Sequence, residues 1–389
     1  MSKYVGNFMF HPVGHGLFYS GIIKNLDTDK QYSFLYDCGG CKKSFVTSAI
    51  DNAVSSNNEI DLLIISHFHA DHIKGVLELI KRKTKIRTVV LPHLDRTSKI
   101  LYTAALADRK YDLQASDLEK LKNFISKPAT FLKGTAEDVY FLSNNIEGKK
   151  LKPDLKTGFD FDWNYKPDKD KKIPADATLE SQLWSFHFFM PKKAEKNKLA
   201  ELQKFFNDNN ITEKNATNQK NWAAIKKQMK KLGLNNNLSN IVCAHGPTEN
   251  MEMINIRINK FFTPNFFYFH HFFPYNIGFQ FLTGDAEIDD QKAFFARYKD
   301  YLEKSILFQV PHHGSVTNWK DWFSEDQLFC NLWPVTHNAN HKYGNGTFPS
   351  ATFSYIAPYS VTECEPTRLG IQIHFFERHI SHINYGGLQ

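Results

Sequence analysis

The segment SHFHADH, residues 66–72, places three histidines and an aspartate within seven positions, directly after the apolar run DLLII. In an extended chain, His67, His69 and Asp71 point to one side because side chains alternate across a strand. His72 begins the following helix and can turn into the same space, while the helix N-terminus favours a bound anion. Imidazole nitrogens and carboxylate oxygens suit Zn²⁺, and carboxylate-rich sets also accept Mn²⁺. Leaving four such side chains unpaired beside a buried strand would be costly, so the motif predicts a metal site.

The elements that must position these residues are short apolar runs, each of which ends in Gly, Pro, His or Asp. Such runs predict buried strands, and they occur at residues 32–40, 61–67, 87–93, 183–191, 279–285, 305–314 and 328–337. Helical periodicity follows in residues 72–83 and 289–304, with apolar positions on one face. In layered α/β proteins, functional residues gather where strands end and loops begin. The pattern therefore predicts an α/β fold with its site at the strand ends.

The middle of the chain has a different composition. Residues 97–235 are rich in Lys and Asn, with helical stretches interrupted by the polar segment GFDFDWNYKPDKDKKIPAD. We predict that residues 1–96 and 236–389 form the catalytic domain and that residues 97–235 are a largely helical, basic insertion or cap. The aromatic, nearly uncharged stretch at 261–281 favours a buried hairpin or strand pair over a base-stacking surface.

Composition narrows the class of protein. A chain of 389 residues with 42% hydrophobic content can fill a sizeable core. Neither a signal peptide nor a run of 18 apolar residues is present, so we expect a cytoplasmic protein that does not span a membrane. The five cysteines are odd in number and mostly scattered, which favours reduced thiols. We interpret the CGGC at residues 38–41 as two reduced thiols. A redox motif and half of a zinc site are the alternatives.

Positive charge is concentrated in one segment. Residues 192–231 contain eleven lysines and four acidic residues, an excess that equals the net charge of +7 of the whole chain. Such a segment can bind polyanions, so nucleic acid or a nucleotide is a candidate partner. Solvated Lys-rich helices are commoner than nucleic-acid sites, and protein partners stay open.

Three motifs resemble those of the metallo-β-lactamase superfamily. HFHADH resembles its second motif, and YDCGG its first, in which the aspartate, here Asp37, supports the ligands without binding the ion itself. LTGDAE is similar to the motif whose aspartate, here Asp285, bridges two metals. The resemblance implies a four-layer αββα sandwich. It also implies that His67 and His69 bind one ion while Asp71 and His72 bind the other.

A closer resemblance is to the ComEC-like subgroup, the metallo-β-lactamase domain of the competence DNA-uptake protein. Where that subgroup has a VGQGD-like turn, this chain has PVGHG at residues 12–16, and its HHGS loop is matched by PHHGS at 311–315. HNANHKYGNGTFPS at 337–350 stands where the subgroup has an Asn-rich turn with YGHP. The resemblance covers roughly residues 7–93 and 236–375.

The resemblance leaves several histidine positions open. The candidates are His187 or His245 for the third-motif ligand, His337 or His341 for the YGHP histidine, and His312 or His313 for the metal-facing residue of PHHGS. His15 is expected to line the site without binding the metal, or to be a plain turn residue. His93 ends a strand and is expected to be structural or to lie at the rim.

The resemblance favours a metallohydrolase. Two divalent ions about 3.5–4 Å apart lower the pKa of a water and polarise the bond to be cut. We assign catalytic roles to Asp71, His312 and His313, and expect the two histidines to complete a metal shell or to protonate the leaving oxygen. The DNA-processing subgroup and the basic segment favour a phosphodiesterase or nuclease, in a nucleic-acid-handling or anti-phage defence setting. The alternatives are a hydrolase of a cyclic nucleotide, lactone or thioester, and a non-catalytic partner-binding subunit.

Overall fold

The computed structural model of the protein describes residues 2–54, 56–108, 111, 113–151, 158–191, 196–234, 239–260, 278–315, 318, 333–337, 358–362 and 369–377. Within these ranges, a nine-stranded sheet forms the larger central layer. In spatial order its strands are β12 (Met251–Lys260), β17 (Leu369–Glu377), β1 (Lys3–Phe10), β2 (Phe18–Asn25), β3 (Gln31–Cys38), β4 (Glu59–Ile64), β5 (Lys85–Pro92), β6 (Ala136–Ser143) and β8 (Lys172–Pro174). From β3 to β8 the strands are parallel, so their carboxyl ends share one edge of the sheet.

A six-stranded sheet forms the second central layer. Its order is β14 (Ser305–Phe308), β13 (Phe279–Leu282), β11 (Val242–Pro247), β10 (Trp184–Phe189), β9 (Thr178–Glu180) and β7 (Asp162–Trp163). Aromatic rings from both sheets fill the space between them: Phe8 stacks on Trp184 at 5.5 Å, and Phe34 meets Phe186 edge-on at 4.9 Å. The buried side chains of this interface form the hydrophobic core between the two sheets. A separate parallel pair joins β15 (Trp333–His337) to β16 (Pro358–Thr362).

Helices cover the outer face of each sheet. The helices are α1 (Lys43–Ala53), α2 (Ala70–Lys81), α3 (Arg96–Ala105), α4 (Ala115–Ser126), α5 (Pro128–Phe131), α6 (Lys196–Asp208), α7 (Gln219–Leu232) and α8 (Gln291–Leu302). The large sheet receives the apolar face of α2, with Ile73 and Val76 fully buried, while α8 buries Phe294 and Tyr298 against the small sheet. The order helix, sheet, sheet, helix confirms the predicted four-layer αββα sandwich. No helix in the described ranges is long and apolar enough to cross a lipid bilayer.

The middle of the chain contributes to both central layers. Strands β6 and β8 extend the large sheet, and β7, β9 and β10 belong to the small one. The sequence did not reveal β7 and β8, because strands of two and three residues in a charged segment show no period-2 pattern. Because these strands belong to the two sheets, the term "cap" can describe only the helical part of residues 97–235. The proposed domain boundaries stay a prediction. The aromatic hairpin predicted at 261–281 lies mostly outside the described residues.

Candidate metal centre

Five loops meet at one end of the sandwich. They follow β1, β3, β4, β13 and β14. The loop after β4 carries His67 and His69 before α2 begins at Ala70, and the loop after β13 carries Asp285. Because strand ends from both sheets share this edge, residues more than two hundred positions apart in the sequence become neighbours.

The carboxylate of Asp285 lies among three buried imidazoles. Its Oδ1 is 3.2 Å from His72 Nε2 and 3.4 Å from His313 Nε2, and its Oδ2 is 3.6 Å from His67 Nε2. His67 Nε2 also lies 3.0 Å from His69 Nδ1. Two ligand atoms on one zinc ion are separated by about 3.3 Å when bonds of about 2.0–2.1 Å meet at the tetrahedral angle. The spacing of these nitrogen and oxygen atoms therefore fits cation binding.

Three sets of side chains at this end could each hold a cation. In each set the ligand atoms lie within 4.8 Å of one another, and the sets are His67, His69 and Asp285; His72, Asp285 and His313; and His15, Asp71 and His313. Asp285 belongs to the first two sets and His313 to the last two. The arrangement can accommodate two cations that share a carboxylate.

Asp37 and Ser66 orient two of the imidazoles. Ser66 donates its hydroxyl to Asp37 Oδ2 at 2.6 Å and its backbone N–H to Oδ1 at 2.7 Å. Since the hydroxyl hydrogen is used in this way, the 2.9 Å contact between Ser66 Oγ and His67 Nδ1 must have the histidine as donor. His72 Nδ1 donates to Asp37 Oδ2 at 2.8 Å. Both rings therefore turn Nε2 towards Asp285, as outer hydrogen bonds do for metal-binding histidines.

A fourth set, Asp37 with His67 and His72, also has its ligand atoms within 4.8 Å. Because Asp37 accepts hydrogen bonds from Ser66 and His72, we assign it a supporting role.

The charges within the centre favour cation uptake. Burial alone would lower the pKa of His72, but the carboxylates of Asp285 and Asp37 raise it well above its ordinary value. Burial alone would raise the pKa of Asp285, but the surrounding imidazoles, led by His72, hold it well below its usual range. Burial, followed by the influence of His72, lowers the pKa of His67 well below its ordinary value. The centre thus contains an ionised carboxylate, a neutral imidazole and one positive charge that a bound cation would replace, with release of a proton.

Glycines allow the loops to approach the start of α2. A Cβ added at Gly39 would lie 1.9 Å from the backbone oxygen of Asp71 and 2.3 Å from the Cα of His72. No side chain fits in that space, which explains the glycine at position 39, where the chain after β3 packs against the first turn of α2.

The PHHGS loop adopts an unusual backbone. His312 and His313 have φ angles of 48° and 53°, in the left-handed region that non-glycine residues rarely adopt. His313 is buried beside Asp285, whereas His312 is 35% exposed and its Nε2 lies 3.6 Å from Asp285 Oδ2. His312 Nδ1 contacts Asn318 Oδ1 at 2.9 Å. Both histidines therefore face the centre, but only His313 belongs to the sets described above.

Other candidate histidines lie elsewhere. His245 is enclosed by aromatic rings between the sheets, with its Nε2 3.0 Å from the Tyr19 hydroxyl, and His187 packs on Tyr301 at 4.1 Å. Neither belongs to a metal-binding set of the described residues. His93 lies near Phe141, also outside those sets. The side chain of His337, and His341 altogether, lie outside the described residues.

Besides Ser66, the site contains two tyrosines that the sequence did not single out. The ring of Tyr102, on α3, meets that of His69 edge-on at 5.2 Å, and its hydroxyl donates to the backbone oxygen of Ser239. Burial raises the pKa of Tyr111 well above its ordinary value, and its hydroxyl is hydrogen-bonded to Asp71. Both tyrosines lie in the range assigned to the insertion, where no metal-binding motif pointed to them.

Comparison with known proteins agrees with this geometry. Residues 20–123 match the family model of the metallo-beta-lactamase superfamily, a range that contains Asp37 and the whole 66–72 motif. Most members of that superfamily are metal-dependent hydrolases, which supports this class for the protein. No curated protein matches the chain. The match does not distinguish a subgroup within the superfamily.

Proposed function

We propose that the protein is a metal-dependent phosphodiesterase, and specifically a nuclease, that uses two divalent ions, either Zn²⁺ or Mn²⁺. The observation that carries the proposal is the position of Asp285, which lies in one set with His67 and His69 and in another with His72 and His313. When bound, such a pair of cations lowers the pKa of water and polarises the bond to be cut. A carboxylate shared between two sets favours hydrolysis over a purely structural metal.

His312 is the residue we assign to the leaving group. Asn318 donates its side-chain amide to the backbone oxygens of Asp285 and Ala286, at 3.3 and 3.2 Å, so its Oδ1 is held as an acceptor for His312 Nδ1. This leaves His312 Nε2 on the partly exposed side of the centre, where it can hold a proton and transfer it to a departing oxygen.

The lysines of helix α7 favour the hypothesis that the substrate is a polyanion. It contains no acidic residue, and its outer face exposes five lysines, which are Lys220, Lys226, Lys227, Lys230 and Lys231. The opposite face of α7 buries Trp222 and Ile225 against α3. Since α3 also carries Tyr102, which contacts His69, the lysines lie on a helix attached directly to one wall of the centre. Among the described residues, no carboxylate pairs with these lysines.

The finer assignments belong to the same proposal. The PVGHG turn and the PHHGS loop both contribute histidines to the centre, which supports a ComEC-like relationship and a substrate with phosphodiester bonds. A nucleic-acid-handling or anti-phage defence setting is the biological hypothesis that follows.

The experiment that tests this function measures cleavage and metal content together. Purified protein is loaded with Zn²⁺ or Mn²⁺ and offered bis-p-nitrophenyl phosphate, single- and double-stranded DNA, RNA and cyclic nucleotides. We expect phosphodiester cleavage by the wild type, loss of cleavage in Asp285→Asn, and retention in the matched control His93→Gln. Equal cleavage by wild type and Asp285→Asn would end the assignment. Metal binding without cleavage of any substrate would favour a partner-binding subunit.

Salt dependence separates a nuclease from a small-molecule hydrolase. Each lysine that contacts a phosphate of duplex DNA contributes about 0.9 to the slope of log affinity against log salt. We expect the double variant Lys227→Gln, Lys231→Gln to reduce this slope, and the control Lys133→Gln, Lys149→Gln, on exposed lysines elsewhere, to leave it unchanged. A rate that is indifferent to salt, with cyclic nucleotides as the preferred substrate, would favour the small-molecule alternative.

A further inference from the structure

The PVGHG turn is pressed against the first turn of α2. Gly14 and Gly16 have φ angles of 73° and 136°, and a Cβ on Gly16 would lie 2.4 Å from the backbone oxygen of Asp71. Leu17 donates its backbone N–H to that same oxygen at 3.3 Å. The two glycines thus bend the chain so that the residue between them, His15, lies over the metal centre.

His15 closes the solvent side of the centre. Its Nε2 lies 3.4 Å from Asp71 Oδ2, and its ring centroid is 4.3 Å from that of His313. The side chain of His15 is 29% exposed, whereas those of Asp71 and His313 are 4% and 2% exposed. His313 Nε2 is also 3.8 Å from Asp71 Oδ2. An imidazole therefore stands at the outer boundary of a buried carboxylate and histidine, within the distance at which they could share one cation.

We propose that His15 is a ligand of the cation held beside Asp71, His72 and His313, and that this position binds its ion more tightly than the position beside His67 and His69. The inference rests on the proposed two-metal centre.

The asymmetry follows from the number of donors. Two of the sets share His313, so this position can draw on five side chains, which are His15, Asp71, His72, Asp285 and His313, and two of them are carboxylates. In the part of the chain that the structure describes, the other position has the set of His67, His69 and Asp285, with the partly exposed His312 near the same Asp285 oxygen. More donors and more negative charge hold a divalent cation more strongly, and three protein ligands are typical of a site that keeps an open position. The two ions should therefore load in sequence.

The experiment titrates metal-free protein, prepared by chelation, with Zn²⁺ by calorimetry, and counts bound ions by mass spectrometry. We expect two phases in the wild type. His15→Ala should weaken the tight phase by at least about 10-fold, since even the outer hydrogen-bond partners of metal ligands contribute about 10- to 100-fold to affinity, and should leave the weak phase unchanged. His69→Ala should remove the weak phase and keep the tight one. The control His93→Gln should match the wild type.

The outcomes distinguish the inference from the proposed function. If wild type and His15→Ala bind both ions equally, His15 is not a ligand and the inference fails, although the two-metal centre stands. If His15→Ala and His69→Ala weaken the same phase, the assignment of positions is wrong. If the wild type binds no ion, both proposals fail. Should His15→Ala not fold, His15→Gln keeps a polar side chain in the turn and is expected to weaken only the tight phase.

Discussion

Removing the Ser66 hydroxyl tests how the histidines are oriented. In Ser66→Ala, the buried Nδ1–H of His67 loses its acceptor, which costs about 1–3 kcal/mol when no other group replaces it. His67 can avoid this cost by moving its proton to Nε2, but the nitrogen that faces Asp285 is then no longer available to a cation. In either case we expect cation affinity at the His67 position to fall by about 10- to 100-fold.

A second variant should have a broader effect. Asp37 accepts three hydrogen bonds, two from Ser66 and one from His72, on its two carboxylate oxygens. In Asp37→Asn only one oxygen remains, so at least one of the three donors loses its acceptor. Because Asp37 serves His67 through Ser66 and His72 directly, we expect Asp37→Asn to weaken both cations, whereas Ser66→Ala weakens only the ion beside His67.

The assay is the same calorimetric titration with Zn²⁺, together with thermal unfolding of the metal-free proteins. Ser185→Ala is the matched control, since Ser185 Oγ lies 2.9 Å from His187 Nε2 outside the metal-binding sets. Weakening of both phases to the same degree by Ser66→Ala would refute this account of the hydrogen bonds. A comparable loss in Ser185→Ala would show that the effect is a general consequence of removing a buried hydroxyl.

Three further predictions concern stability. Burial lowers the pKa of His245 to about 3 in the folded state, against 6.5 for an ordinary histidine. The unfolded chain therefore binds more protons below pH 6.5, and folding should lose about 2 kcal/mol between pH 6.5 and 4.5 through this residue, a loss that urea titrations should find absent in His245→Gln. Gly39→Ala should displace the first turn of α2 and destabilise the fold by about 1–3 kcal/mol, as overpacking does, with lower metal content by mass spectrometry. Chelation should lower the free energy of unfolding by about 2.7 kcal/mol relative to protein at a cation concentration 100-fold above Kd, measured by calorimetric melting.

Each stability prediction has a contrary outcome. Parallel pH profiles for wild type and His245→Gln would mean that the folded protein admits a proton at that position. Normal melting and full metal content in Gly39→Ala would contradict the close packing against Asp71. Identical melting with and without chelator would show that the centre does not bind the added ion.

The sequence drew attention to His67, His69, Asp71 and His72 because they lie within one short segment after an apolar run. Alternation along an extended chain applies only to His67 and His69, since α2 begins at Ala70 and places Asp71 in its first turn with His72. Asp285 was reached only through a family resemblance, since no physical rule links residues so distant in the chain. The α/β class followed from apolar runs long enough to show a pattern, whereas the four-layer arrangement was implied by the family resemblance.

Other features had no signal in the sequence. Ser66 looks like any serine beside a strand, and its role appears only when Asp37 and His67 are seen on either side of it. The choice between His312 and His313 could not be made because two consecutive left-handed residues direct both rings to one side, which breaks the alternation expected of an extended loop. His15 depended on how closely a glycine turn approaches α2, which spacing in the sequence does not give.

The junction between the two sheets connects the fold to the chemistry. The backbone oxygen of Ser66 accepts the backbone N–H of Ile241, just before β11, at 2.9 Å, while Tyr36 of β3 donates its hydroxyl to the backbone oxygen of Ile241. On the same side, a Cβ on Gly284 would lie 2.7 Å from Ser66 Oγ, so the loop that carries Asp285 packs directly on the residue that orients His67. The distance between Asp285 and the imidazoles is therefore determined by contacts between layers. A substitution that shifts one sheet against the other would change cation binding without touching a ligand.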